Sequence, residues 1–236
     1  MDLFGTFSGT NTTKELIYSS IHYTPSYLAR SIVENSLRSI NLNGLSKIKI
    51  LDPACGSAEF LIEILKQLKE KKYTGKLEIH GFDISETAVT TSNFLLHYEN
   101  RTNWDSKLEF KIKKVDDSLV EEWDADYTFI LMNPPFVSWE QLNDKDKRET
   151  VRSTLGDNFK GKPNQASAFF YRAVNHLASG GVIGSVIPSS LFTLDAYDKL
   201  RKEIAETVNI EILGNLTCVR FKRSLKIVVR HLLFSS

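Results

Sequence analysis

The chain has 236 residues, 42% of them apolar and 25% charged, which is long enough and apolar enough to bury a sizeable core. These values exclude a disordered chain, a collagen-like fibre and a disulfide-stapled miniprotein. Lys plus Arg number 30 and Asp plus Glu 29, so a formal charge of +1 gives no bulk attraction to polyanions.

Hydrophobic periodicity alternates between short apolar runs and a 3.6-residue period. After a polar extension over residues 1–20, Tyr23-Thr24-Pro25 opens a helix, with Thr24 as N-cap and Pro25 in the first turn. Leu28, Ile32, Val33 and Leu37 line one face of it. Lys47 to Leu51 reads as a strand running into Asp52-Pro53-Ala54-Cys55-Gly56, followed by a helix with Phe60, Leu61, Ile64, Leu65 and Leu68 on one stripe. Leu77 to Phe82 is a strand ending in Asp83, and Glu86 to Tyr98 a helix. Leu108 to Val115 is a strand ending in Asp116-Asp117-Ser118. The apolar strand Tyr127 to Met132 runs directly into Asn133-Pro134-Pro135-Phe136. Asn143 to Lys162 is a charged surface excursion with some helix, and Pro163 to Leu177 is helical. Gly180-Gly181 breaks to the strand Val182 to Ile187, and a helix from Asp195 to Thr207 precedes two strands, near Ile210 and from Leu225 to Phe234.

Strands alternating with helices predict a doubly wound α/β fold with a mostly parallel sheet. The last two strands lack a helix between them and form an antiparallel hairpin at an edge. With no repeat or linker, residues 1–236 read as a single domain. Two distant cysteines, Cys55 and Cys218, and histidines in no ligand spacing indicate a reducing compartment and no metal. The absence of a signal peptide and of an apolar run near 20 residues predicts a soluble, cytoplasmic protein with no membrane contact.

Ligands of open α/β sheets sit outside the carboxyl ends of the strands, which here carry Asp52, Asp83, Asp116 or Asp117, and Asn133. The small, tightly turned segment Asp52 to Ala58 lets a ligand approach the backbone. It is no phosphate cradle, because it lacks the glycine spacing and its carboxylate would repel a pyrophosphate. A carboxylate suits an ammonium or sulfonium, and Asp83 is placed to accept from a ribose diol. Together they describe S-adenosylmethionine better than NAD or ATP. For any one of these carboxylates, capping of the next helix is the simpler role; at three successive strand ends that explanation weakens.

Asn-Pro-Pro alone is a turn. After a buried strand, its two prolines fix the backbone so that the Asn133 side-chain oxygen and the Pro134 carbonyl converge as acceptors. Two such acceptors draw an exocyclic amino nitrogen toward tetrahedral geometry and localise its lone pair for attack on a sulfonium methyl. Phe136 offers a face on which a flipped base can stack.

With these motifs the chain resembles the amino-methylating N6-adenine DNA methyltransferases, in the gamma-type order that places the Thr-Pro helix first. The resemblance runs from about His22 to Phe234 and implies the Rossmann-like fold of S-adenosylmethionine-dependent methyltransferases. It also implies a role in the modification part of a restriction–modification or phage-defence system, with DNA as partner. It carries Tyr23 and Thr24 to the methionine carboxylate, and Asp52, Pro53, Ala54, Cys55 and Gly56 to the methionine loop. Asp83 and Ile84 go to ribose and adenine, and Asp117 and Ser118 to the adenine amino edge, with Asp116 as Asp117's rival. Phe169 borders the cofactor. Asn133, Pro134, Pro135 and Phe136 form the catalytic segment, with Asn133 also beside the cofactor. Phe221 packs on the target base from its other side.

The family usually has Gly where Ala58 stands, and usually carries a target-recognition domain, which is expected to be absent here or supplied by a specificity subunit. The cluster Arg220, Lys222, Arg223, Lys226 and Arg230 reads equally as a guard on an edge strand and as a phosphate contact. Two other function classes remain: a methyltransferase acting on RNA guanine or protein glutamine, and a non-catalytic cofactor-binding module of a larger complex.

Overall fold

The computed structural model describes residues 24–105, 107–159, 161–216 and 224–232. Tyr23 and Phe221 lie outside the described residues, as do the 1–20 extension and Arg220, Lys222 and Arg223. The first helix is α1 (Ser26–Arg38). It is followed by β1 (Lys47–Asp52), α2 (Glu59–Glu70), β2 (Lys76–Asp83), α3 (Glu86–Asn103), β3 (Leu108–Lys114) and β4 (Tyr127–Met132). Beyond β4 come α4 (Lys145–Leu155), α5 (Gln165–Asn175), β5 (Leu177–Pro188) and a four-residue α6 (Ser190–Thr193). The chain continues with α7 (Asp198–Thr207), β6 (Val208–Asn215) and β7 (Ser224–His231).

The strands form one sheet in the order β3-β2-β1-β4-β5-β7-β6. β1 pairs in parallel with β2 and β4, β2 with β3, and β4 with β5. The expected antiparallel pair is present, but β7 inserts between β5 and β6, so β6 takes the edge. This corrects the edge-strand reading of Lys226 and Arg230. Lys226 donates to Ser31 Oγ at 3.0 Å, and Arg230 Nε pairs with Glu211 at 3.0 Å. Both cations tie β7 to its neighbours.

The central strands are apolar on both faces, as strands covered by helices on each side must be. Alternate side chains divide between two cores. Ile48, Ile50, Phe129, Leu131, Val182 and Val186 pack with α1 and α2. Leu51, Ile130, Met132, Ile183 and Ile187 pack with α5.

Gly180-Gly181 does not end an element; it is a bulge inside β5. Gly180 takes a φ of 73°, and a Cβ on Gly181 would lie 2.8 Å from the Tyr127 carbonyl. The pairing with β4 shifts register at that point, between Tyr127 and Phe129. The glycines permit a left-handed residue and a close strand approach, which from sequence alone resemble a stop.

The cap of α1 also differs from expectation. Pro25 is the N-cap residue, in extended geometry (φ −62°, ψ 141°), and its carbonyl accepts from Leu28 N at 2.9 Å and Ala29 N at 3.1 Å. Thr24 is thereby displaced from the cap. No helix among the described residues is long and apolar enough to cross a membrane.

Candidate functional site

Strand order reverses between β1 and β4. The pairs Ile50–Phe129 and Leu51–Ile130 bring the carboxyl ends of these two strands side by side. A crevice at such a switch point is where an open α/β sheet binds its ligand. Asp52 ends β1 and Asn133 follows β4, so two of the residues singled out by sequence lie at neighbouring strand ends.

The loop after β1 is fastened from below. Cys55 N donates to the Phe82 carbonyl at 2.9 Å, and Gly56 N donates to Asp83 Oδ2 at 2.8 Å. The Gly56 carbonyl in turn accepts from Ser92 Oγ on α3, at 2.8 Å. Pro53 and Cys55 are buried, whereas Ala54 and Gly56 are half-buried. Gly56 has a φ of 51°, and a Cβ built on it would meet no atom within 4 Å, so the loop leaves open space on that side. Burial pushes the Cys55 thiol pKa up, which suits a packing residue rather than a nucleophile.

Ala58, where the family usually has Gly, sits in the left-handed region, φ 65° and ψ 24°, where an alanine costs roughly 1–2 kcal/mol. Its methyl is 0% exposed and packs in the core with α2. The methyl therefore does not crowd the crevice.

Asp52 is 1% exposed, and its carboxyl is pushed up to about 8. Burial is the main cause and the nearby Asp83 carboxylate adds to it, while the Ala54 N–H, donating at 3.1 Å, opposes both. Asp83 itself accepts twice, from Gly56 N through Oδ2 and from Ser85 N through Oδ1, each at 2.8 Å. It is thus a tether for the loop as well as a candidate ribose acceptor. Asp83→Ala is expected to lower the melting temperature by several degrees, since each hydrogen bond to a charged acceptor is worth roughly 1.5–3 kcal/mol. With S-adenosylmethionine as the probe, calorimetry should show binding weakened at least tenfold; unchanged binding would move the ribose contact elsewhere.

After β3, Asp117 is half-buried and its Oδ1 accepts from Leu119 N at 2.8 Å, while Asp116 is exposed. Ser118 is buried, and its Oγ has no hydrogen-bond partner. Two large apolar side chains stand open at these strand ends, Ile84 at 59% and Val120 at 69% exposure. Ile84 directly follows Asp83 and Val120 comes three residues after Asp117, and an open apolar side chain this near each carboxylate in the chain suits a flat heterocycle with an amino group and a sugar diol.

Thr24 and Asn133 meet although 109 residues separate them: Asn133 Nδ2 donates to Thr24 Oγ1 at 3.1 Å. This bond holds the plane of the Asn133 amide and leaves the threonine proton for another acceptor. Pro134 is buried, and Pro135 and Phe136 are half-buried, with Phe136 packed against the core on the α1 and α2 side. One residue later, the Val137 carbonyl accepts from Gln165 N at the start of α5, at 3.0 Å. Phe169 is 3% exposed, its ring 6.4 Å from Trp123, so it backs the β3 turn from within the core.

Three residues that support this site were not anticipated: Ser92, Trp123 and Arg172. Ser92 left one local sign, a small hydroxyl on the buried face of a helix. A further cluster, Glu78, His80 and Asp124, has ligand atoms within 4.8 Å of one another. Lys49 Nζ already stands there, 2.9 Å from Asp124 Oδ2 and 3.8 Å from Glu78 Oε1. An ammonium holds the place a metal ion would need.

Residues 10–229 match the family model described as N-6 DNA methylase. The type II methyltransferase M.BanIII of Aneurinibacillus aneurinilyticus is 28% identical over 203 residues, covering 80% of this chain and 34% of its own length. The type I restriction enzyme MjaIX methylase subunit of Methanocaldococcus jannaschii is 27% identical over 229 residues, covering 92% of this chain and 38% of its own. The chain thus spans between a third and two-fifths of these relatives. Among solved structures, a class I S-adenosylmethionine-dependent methyltransferase described for Listeria monocytogenes superposes with a TM-score of 0.65 at 17% identity. That match covers 89% of this chain and 60% of the other, and the likeness is one of fold.

Proposed function

The chain belongs to the N-6 DNA methylase family, and on that premise we propose that it transfers a methyl group from S-adenosylmethionine to the N6 amino group of adenine in DNA. Its setting is the modification part of a restriction–modification or related defence system. The observation that carries this reading is the meeting of Asn133 with Thr24 beside the Asp52 loop at the β1–β4 switch point.

The residues of the crevice fit the cofactor. Asp52 and the open side of Gly56 would hold its ammonium end, and the Thr24 proton, not used in the bond from Asn133, would be available to its carboxylate. Asp83 and Asp117 suit a ribose diol and an adenine amino group, between the apolar surfaces of Ile84 and Val120. When bound, the cofactor supplies an electrophilic methyl group on a sulfonium.

The chain's own part is to present the nucleophile. Asn133 Oδ1 and the Pro134 carbonyl accept the two N–H groups of the target amino nitrogen, which turns its lone pair out of the ring. Phe136 stacks on the base and holds it out of the duplex. No strong base is required, because a methylated ammonium gives up its proton readily to water. Choice of target sequence belongs to a further domain or a specificity subunit, an arrangement supported by the likeness to a type I methylase subunit.

The test is methyl transfer from labelled S-adenosylmethionine to duplex DNA, RNA and a protein extract, with product nucleosides separated. N6-methyladenine from DNA is the expected product; label confined to RNA or protein would overturn the substrate assignment. Phe136→Ala should reduce DNA methylation by about five- to a hundredfold, given ~1–3 kcal/mol for stacking a base on an aromatic ring, while cofactor affinity stays constant.

A further inference from the structure

The turn that follows β3 belongs to neither helix nor strand, so its carbonyls must find partners outside regular structure. Two side chains from elsewhere supply them. Trp123 Nε1 donates to the Ser118 carbonyl at 2.9 Å. Arg172, on α5, reaches across with both ends of its guanidinium: Nη2 donates to the Glu121 carbonyl at 2.6 Å, and Nη1 donates to the Leu119 carbonyl. The guanidinium carbon also lies over the Trp123 ring, 4.6 Å from its centroid.

Three carbonyls within four residues are thus held by two rigid, planar donors that brace each other. The residue immediately before them is Asp117, whose own carboxylate bends back onto Leu119 N. With the turn clamped on its carbonyl side, the direction of the Asp117 carboxylate follows. Arg172 gives up hydration to hold the turn. It is half-buried, and burial lowers its pKa while the Asp117 and Glu121 carboxylates act against that lowering. Its guanidinium therefore lies within the field of Asp117.

The geometry points to Arg172 as a positioning residue that, stacked on Trp123, sets the aim of the Asp117 turn toward the adenine end of the cofactor. This rests on the reading of the crevice as an S-adenosylmethionine site. A lysine could not replace it, because a single ammonium cannot span two carbonyls while sitting over an indole.

The test uses the whole chain and its Arg172→Ala, Arg172→Lys and Trp123→Phe variants. Calorimetry with S-adenosylmethionine and with 5′-methylthioadenosine should show both ligands weakened about tenfold or more in the two Arg172 variants, and about threefold in Trp123→Phe. Turnover at saturating cofactor should stay within about twofold, a split between KM and kcat that general destabilisation would not give. Millimolar ethylguanidinium should restore part of the affinity of Arg172→Ala and none of Arg172→Lys. Hydrogen exchange on the cofactor-free proteins should show faster exchange at Leu119 to Trp123 in the Arg172 variants. Wild-type affinity together with wild-type exchange in either Arg172 variant would overturn the assignment. If Arg172→Ala does not fold, Arg172→Lys and Trp123→Phe decide in the same way. If the wild-type chain binds neither ligand, the cofactor reading fails, and the exchange measurement alone still decides whether Arg172 sets the turn.

Discussion

Asn133→Ala is expected to reduce methyl transfer by at least about a hundred- to a thousandfold while leaving S-adenosylmethionine affinity within a few-fold. The size follows from what a single preorganised hydrogen-bonding group contributes where charge develops, roughly 10²–10³ in rate. The amide has two roles at once. Its nitrogen is spent on Thr24, at 3.1 Å, and that bond fixes the plane in which its oxygen can accept from a target amino group. Alanine removes both, so the base could enter the pocket but would keep its lone pair in the ring. Loss of the bond to Thr24 should by itself lower stability by about 0.5–1.5 kcal/mol, or a few degrees in Tm, and a folded, cofactor-competent and inactive protein is the expected product. Single-turnover rates and binding isotherms on the same preparation check this. Wild-type turnover, or a parallel collapse of cofactor affinity, would contradict the two-acceptor mechanism.

What was readable in the sequence was whatever local pattern determines. Short apolar or alternating runs set between 3.6-residue periods gave the strands of the sheet within a residue or two from β1 to β4: β4 is a continuous apolar run because it is buried on both faces, while β1, β2 and β3 alternate because one face is less covered. The strand ends followed from that, and with them Asp52, Asp83, Asp117 and Asn133. The misreadings are local signals with two physical uses. Gly180-Gly181 can stop a helix or fold a bulge, and only the Tyr127 carbonyl beside Gly181 decides between them. Thr24 can cap α1 or meet Asn133, and the proline that follows takes the cap position itself.

The supporting shell was not readable at all, since its contacts join distant parts of the chain. Arg172 holds carbonyls 51 and 53 residues away, and Ser92 holds one 36 residues away. No periodicity marks such a pairing. Likewise Lys226 and Arg230 looked like an exposed basic patch until the insertion of β7 between β5 and β6 placed them inside the sheet.

A second large effect is expected at Asp52, and it carries a pH signature. In the cofactor-free protein this carboxyl is pushed up to about 8 from an ordinary value near 3.8, chiefly by burial and further by Asp83. The folded state then holds a proton that the unfolded chain has released between about pH 4 and pH 8. Stability contributed by this group is therefore full below pH 4, falls as pH rises through that window, and levels off above 8. A ligand ammonium needs the ionised form, so binding below pH 8 must expel the proton, and affinity should rise with pH by up to tenfold per unit until it levels near 8. Asp52→Asn removes the titration: the cofactor-free variant should be more stable than wild type at pH 8, and less advantaged at pH 5. Its affinity for S-adenosylmethionine at pH 8 should be lower by about 10- to 100-fold, the value of one hydrogen-bonded charge pair. Because the ligand's amine titrates in the same range, the decisive quantity is the difference between the wild-type and Asn profiles, with proton release read from calorimetry in buffers of different ionisation enthalpy. Parallel profiles for the two proteins, or wild-type affinity in Asp52→Asn, would remove Asp52 from the ammonium site and leave its burial at the end of β1 without a ligand to account for it.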